Sequence, residues 1–201
     1  MNEQSFIISY MRMIDESKKV RITESVYRIV RENGISGLSF GKIAKMANVS
    51  PGTPYVYYSD KTDMLSKIFL EAKSLLDEGI EEDIASASTT REKIFQCVYH
   101  FVKRFHEFPN ASVYLRTMYN CYSLLDQETA KEAERMSEPI FTVYHRAVDE
   151  GLWRDNTLKV IIPLLYGPVF MAIDTRNNAG EEWTPQEMEP IVRMSMTAAL
   201  I

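Results

Sequence analysis

The sequence predicts an all-α fold, and three observations carry that expectation. Alternating strand-like patterns are nearly absent, whereas apolar residues recur at three- and four-residue spacing in most segments. The eight Gly and eight Pro fall mostly at the breaks between those segments. A hydrophobic content of 45% over 201 residues is enough to bury a substantial helical core.

Residues 1–16 show no clear period, but Phe6, Ile7, Ile8 and Tyr10 are apolar and suit an arm that docks rather than a free tail. Residues 17–33 read as a helix through Val20, Val26, Tyr27 and Val30, with Gly34 as its left-handed C-terminal residue. Ser39 can cap a short helix from Phe40 to about Ala47. Asn48 tolerates the left-handed turn that follows. Ser50 and Pro51 can open the next helix. Asp60 and Asp63 can cap a long one over residues 61–83. Further helices are expected over 91–107, 111–125, 126–150, 156–177 and 185–200.

The stretch 39–61, SFGKIAKMANVSPGTPYVYYSDK, carries the most information. Two helices joined by a tight turn need a small residue at their crossing, a left-handed residue in the turn and apolar pins beneath the second helix. Ala44, Asn48 and the trio Ile43, Val49 and Tyr58 fit those places. The second helix then offers small, hydroxyl and aromatic groups suited to a DNA groove.

At this point the sequence resembles the TetR family of bacterial repressors. The run VSPGTPYVYYSDKTDML (49–65) follows the family pattern Val-Ser-x-Gly-Thr-apolar-Tyr-x-His/Tyr-Phe/Tyr, with Lys opening the next helix. Gly52, Thr53, Tyr55, Tyr57, Tyr58 and Lys61 match it in order and spacing, and GISGLSFGKIAKMA (34–47) matches the upstream part. The resemblance implies DNA contact by Ser39, Lys42, Ser50, Gly52, Thr53, Tyr55, Tyr57 and Lys61, with Tyr58 in the core. Pro54 departs from the family's Leu or Ile. Its missing N–H predicts a tightened turn at the start of the second helix.

Residues 1–66 hold nine Lys and Arg against seven Asp and Glu, a net +2, while the rest of the chain is net −7. The basic excess therefore lies with the motif, although the whole chain is acidic at −5. Cys97 and Cys121 form no CxxC pair, and His100, His106 and His145 have no metal-ligand spacing, so no metal or cofactor is expected. There is no nucleophile elbow and no phosphate loop, which argues against an enzyme. The apolar stretch 160–173 contains two prolines and falls short of a membrane span, so a cytoplasmic chain is expected.

The expected organisation is an N-terminal three-helix DNA-binding domain with a helix-turn-helix (1–66) and a C-terminal helical ligand-binding and dimerisation domain (67–201). The resemblance implies an effector pocket in the latter, for which Tyr99, Tyr114, Met118, Tyr122 and Tyr166 supply apolar surface with polar tips. It also implies a homodimer formed by the last two helices, bound to double-stranded operator DNA and released by a small-molecule effector. The alternative is a helical interaction or ligand-sequestering module that keeps the fold without reading DNA.

Overall fold

A computed structural model describes residues 3–155 and 157–201, with side chains from Glu16 onward. Eleven α-helices run in order among the described residues: α1 Glu3–Asn33, α2 Phe40–Met46, α3 Pro54–Tyr57, α4 Lys61–Asp77, α5 Ile80–Ala85, α6 Thr90–Glu107, α7 Pro109–Asn120, α8 Gln127–Met136, α9 Glu138–Asp149, α10 Leu158–Ala179 and α11 Pro185–Ala199. No strand forms among them; Trp153 and Leu200 make an isolated antiparallel bridge. The chain packs as two compact units, Met1–Lys73 with Asn110–Glu132, and Ser74–Pro109 with Ala133–Ile201.

In unit 1, α1 begins well before the expected residue 17. The docking role expected of Phe6, Ile7, Ile8 and Tyr10 lies outside the described side chains. The buried stripe of α1 is Ile22, Val26, Ile29 and Val30, whereas Val20 is 62% exposed on another face. Gly34 takes φ 67° and donates to the Val30 carbonyl at 2.9 Å, closing the helix in a backbone region that glycine enters without penalty. The core of this unit joins those residues to Ile43, Ala44, Tyr58, Leu65, Ile68, Phe69, Tyr114 and Met118. Tyr114 is wholly buried, and its hydroxyl donates to the Leu65 carbonyl at 2.9 Å.

The long helix expected over 61–83 is interrupted. Gly79 takes φ 85°, which ends α4 and starts α5 on a new axis. In unit 2, cationic and ring donors from α6 meet the carbonyls that the last turn of α4 leaves without a helical partner. Arg104 Nε donates to the Leu75 carbonyl at 3.2 Å, and His100 Nε2 donates to the Leu76 carbonyl at 2.9 Å. His100 Nδ1 meets the Asp83 carboxylate of α5 at 2.7 Å, and Lys103 Nζ reaches the same carboxylate at 2.7 Å. Burial alone would raise the Asp83 carboxyl; the bonds from Lys103 and His100 outweigh it and hold the group below the usual aspartate range.

A second expected helix, 126–150, breaks at Ser137. Pro139 sits in the first turn of α9 and cannot donate to a preceding turn, so α8 stops and α9 starts afresh. The rest of unit 2 packs α6, α9, α10 and α11 around Ile94, Cys97, Val98, Tyr144, Leu165, Val169, Met188 and Val192. Burial pushes the Cys97 thiol up to about 12, leaving it an unreactive packing group. Asn156, the first residue of the helix expected over 156–177, lies outside the described residues. By length and composition, α10 is apolar enough to cross a membrane, which the 160–173 stretch alone does not suggest. Ile161, Leu165, Val169 and Ile173 face the unit's core, while Val160, Leu164 and Met171 on other faces are exposed.

Two outcomes follow. Asn48, at φ 53°, sits where a β-branched residue clashes with its own backbone. Asn48→Val is expected to cost about 1–2 kcal/mol in chemical denaturation, while Asn48→Gly stays within about 1 kcal/mol of the parent. Asp83→Ala strands the buried His100 ring and is expected to cost about 1–3 kcal/mol near pH 7. Because the folded Asp83 carboxyl is depressed, its contribution is complete above the unfolded value of about 3.9 and is lost as pH falls through the folded value. The denaturation midpoints of parent and variant should therefore converge below about pH 4.

Candidate nucleic-acid interface

The helix-turn-helix is built from α2, a left-handed turn and α3. Ser39 has extended backbone and accepts from Lys42 N–H at 3.3 Å, so it caps α2 while its side chain stays exposed. At the other end, Val49 N–H bonds the Ala44 carbonyl at 3.0 Å and Asn48 N–H bonds the Lys45 carbonyl at 3.3 Å. Those two bonds across a left-handed residue form a Schellman closure, which reverses the chain directly after α2. Ile43, Ala44 and Ala47 are buried beneath the turn, Val49 is half-buried, and Lys42 and Lys45 are exposed.

The second helix is shorter than the sequence suggests. It was expected to start at Pro51 under a Ser50 cap; instead the α-helical bonds start at Pro54. Thr53 N–H bonds the Ser50 carbonyl at 2.9 Å, and Tyr55 N–H bonds the Gly52 carbonyl at 3.2 Å, both three residues apart. A four-residue bond runs from Tyr58 N–H to the Pro54 carbonyl at 3.0 Å. Pro54 explains this, because without an N–H it cannot close a four-residue bond to Ser50. The Ser50 and Thr53 hydroxyls bond each other at 2.7 Å instead of capping a helix. Pro54 itself is buried at the first helical position, where a missing donor costs nothing. The tightened turn expected from Pro54 is thus present.

The side chains of this segment divide clearly. Tyr58 is buried, and burial pushes its hydroxyl up to about 12. Tyr55 is 60% exposed and its ring lies 4.4 Å from that of Phe40 in α2, a prop that the motif reading does not anticipate. Tyr57 is half-buried, with its ring 6.3 Å from that of Tyr58, and its carbonyl accepts from Lys67 at 3.4 Å. Gly52 is exposed, and a Cβ added there would meet nothing. Lys61, at the start of α4, reaches the Ile35 carbonyl at 3.3 Å and is exposed. Its helix start is capped by Asp60, which accepts from Asp63 N–H at 2.9 Å. Ser39, Lys42, Ser50, Gly52, Thr53, Tyr55, Tyr57 and Lys61 therefore all fall on one contiguous motif, and none of their side chains is fully buried. Val56, absent from that set, is 75% exposed; its exposure is a property of the folded turn that the sequence pattern does not show.

Of the five residues expected at an effector pocket, three lie in one unit and two in the other. Tyr114, Met118 and Tyr122 belong to unit 1, where the Tyr122 hydroxyl donates to the Ala130 carbonyl at 3.0 Å. Tyr99 and Tyr166 belong to unit 2. Tyr99 stacks on Phe95 at 5.2 Å, and burial followed by the nearby Glu189 charge pushes its hydroxyl up. The Tyr166 hydroxyl pairs with that of Tyr144 at 2.6 Å. An open groove of about 880 Å³ in unit 2, lined by residues including Glu82, Lys93, Arg135, Pro139 and Arg146, is mixed in charge and contains none of the five.

Residues 22–68 match the family model described as bacterial regulatory proteins, tetR family. The fatty acid metabolism regulator protein of Bacillus subtilis is 36% identical over 77 residues, which span 38% of this chain and 40% of that relative's length. An uncharacterized HTH-type transcriptional regulator of Haemophilus influenzae is 24% identical, with 94% of this chain and 98% of the relative covered. Among solved structures, a TetR family transcription regulator from Marinobacter aquaeolei superposes with a TM-score of 0.81 at 22% identity, covering 94% of this chain and 98% of its own. The matched segment takes in the whole α2–turn–α3 motif, so residues 22–68 are a DNA-binding domain of the TetR family of bacterial regulatory proteins.

Proposed function

We propose that this chain is a cytoplasmic, dimeric repressor whose grip on a palindromic operator is released by a small-molecule effector. The observation that carries the reading is the α2–turn–α3 geometry, in which Tyr55 and Val56 stand out from the protein beside an open Gly52 backbone. A helix of four residues makes too few contacts to specify a site alone, so two copies on half-sites about one helical turn apart supply the specificity. The exposed Val160, Leu164 and Met171 of α10 and Met194 of α11 offer the apolar surface that a second copy would cover. The division proposed here is one of role: residues 1–66 read DNA, and residues 67–201 hold the effector and the dimer contact. Within the latter, Tyr99, Tyr114, Met118, Tyr122 and Tyr166 remain the proposed effector contacts. A fatty acyl compound is the first effector to assay, because one relative is named for fatty acid metabolism. Effector and operator must then weaken each other's binding by the same factor.

Selection of bound duplexes from a random DNA library tests this directly. A palindromic consensus with two spaced half-sites is the expected result, and no enrichment at low salt would refute it. Two substitutions sharpen the test. Lys61→Ala is expected to weaken binding to all sequences alike and to lower the salt dependence by about one counterion, as seen in affinities titrated against salt. Gly52→Ala is expected to leave folding stability unchanged or raised by up to about 1 kcal/mol, because its Cβ meets no atom of the protein. The same change is expected to lower operator affinity by about tenfold or more, because the new methyl occupies space that the DNA needs.

A further inference from the structure

The α3 segment contains an exposed side chain with no internal role. Pro54 and Tyr58 are buried, Thr53 bonds Ser50, and Tyr55 rests on Phe40. Val56 is 75% exposed and branched at Cβ, with no polar atom to offer water or phosphate. Thr53 and Val56 stand three residues apart and so share one side of the turn. Gly52 adds no side chain that would hold a partner away.

We propose that Val56 is a specificity-determining residue that contacts the C5-methyl of a thymine in each operator half-site. The assignment rests on the reading of α3 as the element that enters the major groove. In that groove an A·T pair presents one apolar feature, the thymine methyl, and apolar side chains read it by contact. A β-branched residue in a helix has essentially one χ1 rotamer, so Val56 presents its two methyl groups in a fixed direction. The face made by Gly52, Thr53 and Val56 is small, then hydroxyl, then apolar. It suits a base edge better than a phosphate, which needs a donor at every contact.

The test uses the full-length protein and the operator recovered from the random library, with each thymine replaced in turn by uracil. Uracil keeps the base pair and lacks only the methyl. Wild-type protein is expected to lose about fourfold in affinity per half-site at one symmetric thymine position, the factor for one buried methyl group. Val56→Ala, a change on an exposed helical surface that leaves the fold intact, is expected to bind the thymine and uracil operators equally. If the wild type binds the operator but no uracil replacement weakens it, the assignment fails. It also fails if Val56→Ala retains the same uracil penalty. Failure of the wild type to select any duplex would overturn the DNA reading itself, and this assignment with it.

Discussion

The N-terminal motif depends on Asn48 holding a left-handed backbone. At φ 53° it lets Val49 N–H return to the Ala44 carbonyl, and the chain reverses within three residues of the end of α2. A right-handed residue there would let α2 run on. The Ala44 and Ala47 faces would then lose their cover, and Tyr58 would no longer come down into the core. The second constraint is the absent N–H of Pro54. It delays the start of α3 to Pro54 and makes the preceding turn a run of three-residue bonds. Together they place Tyr55 over Phe40 and leave Val56 and Gly52 bare.

Unit 2 solves a different problem, the unpaired carbonyls where α4 ends. Arg104 and His100 reach those carbonyls from α6, and Asp83 ties His100 and Lys103 to α5. The break at Gly79 is thereby held by side chains that carry donors toward a helix C-terminus, where the peptide dipole favours them. This turns a flexible residue into a defined corner.

The motif was legible because each of its devices is local. A serine cap, an asparagine turn and a proline act through bonds spanning three to five residues, and the sequence displays them side by side. The misread elements are those where periodicity continues across a break. Apolar spacing runs through Gly79 and through Pro139, so residues 61–83 and 126–150 each read as one helix until the backbone donors are counted. Val20 has helical spacing with Val26 and Tyr27 yet points outward, because periodicity identifies a face only when its neighbours are known. Val56 carries no local signature either, because its 75% exposure is set by the folded turn. The aromatic residues of the C-terminal region carry no local signature, and their division between two units is set by long-range packing.

In the proposed function, a short helix reads DNA in duplicate. Hydroxyl-radical footprinting of the protein on its selected duplex measures that arrangement most directly. Two equal protected patches on one face of the DNA, about one helical turn apart around a dyad, are the predicted result. A single protected patch, or protection without a dyad, would contradict it.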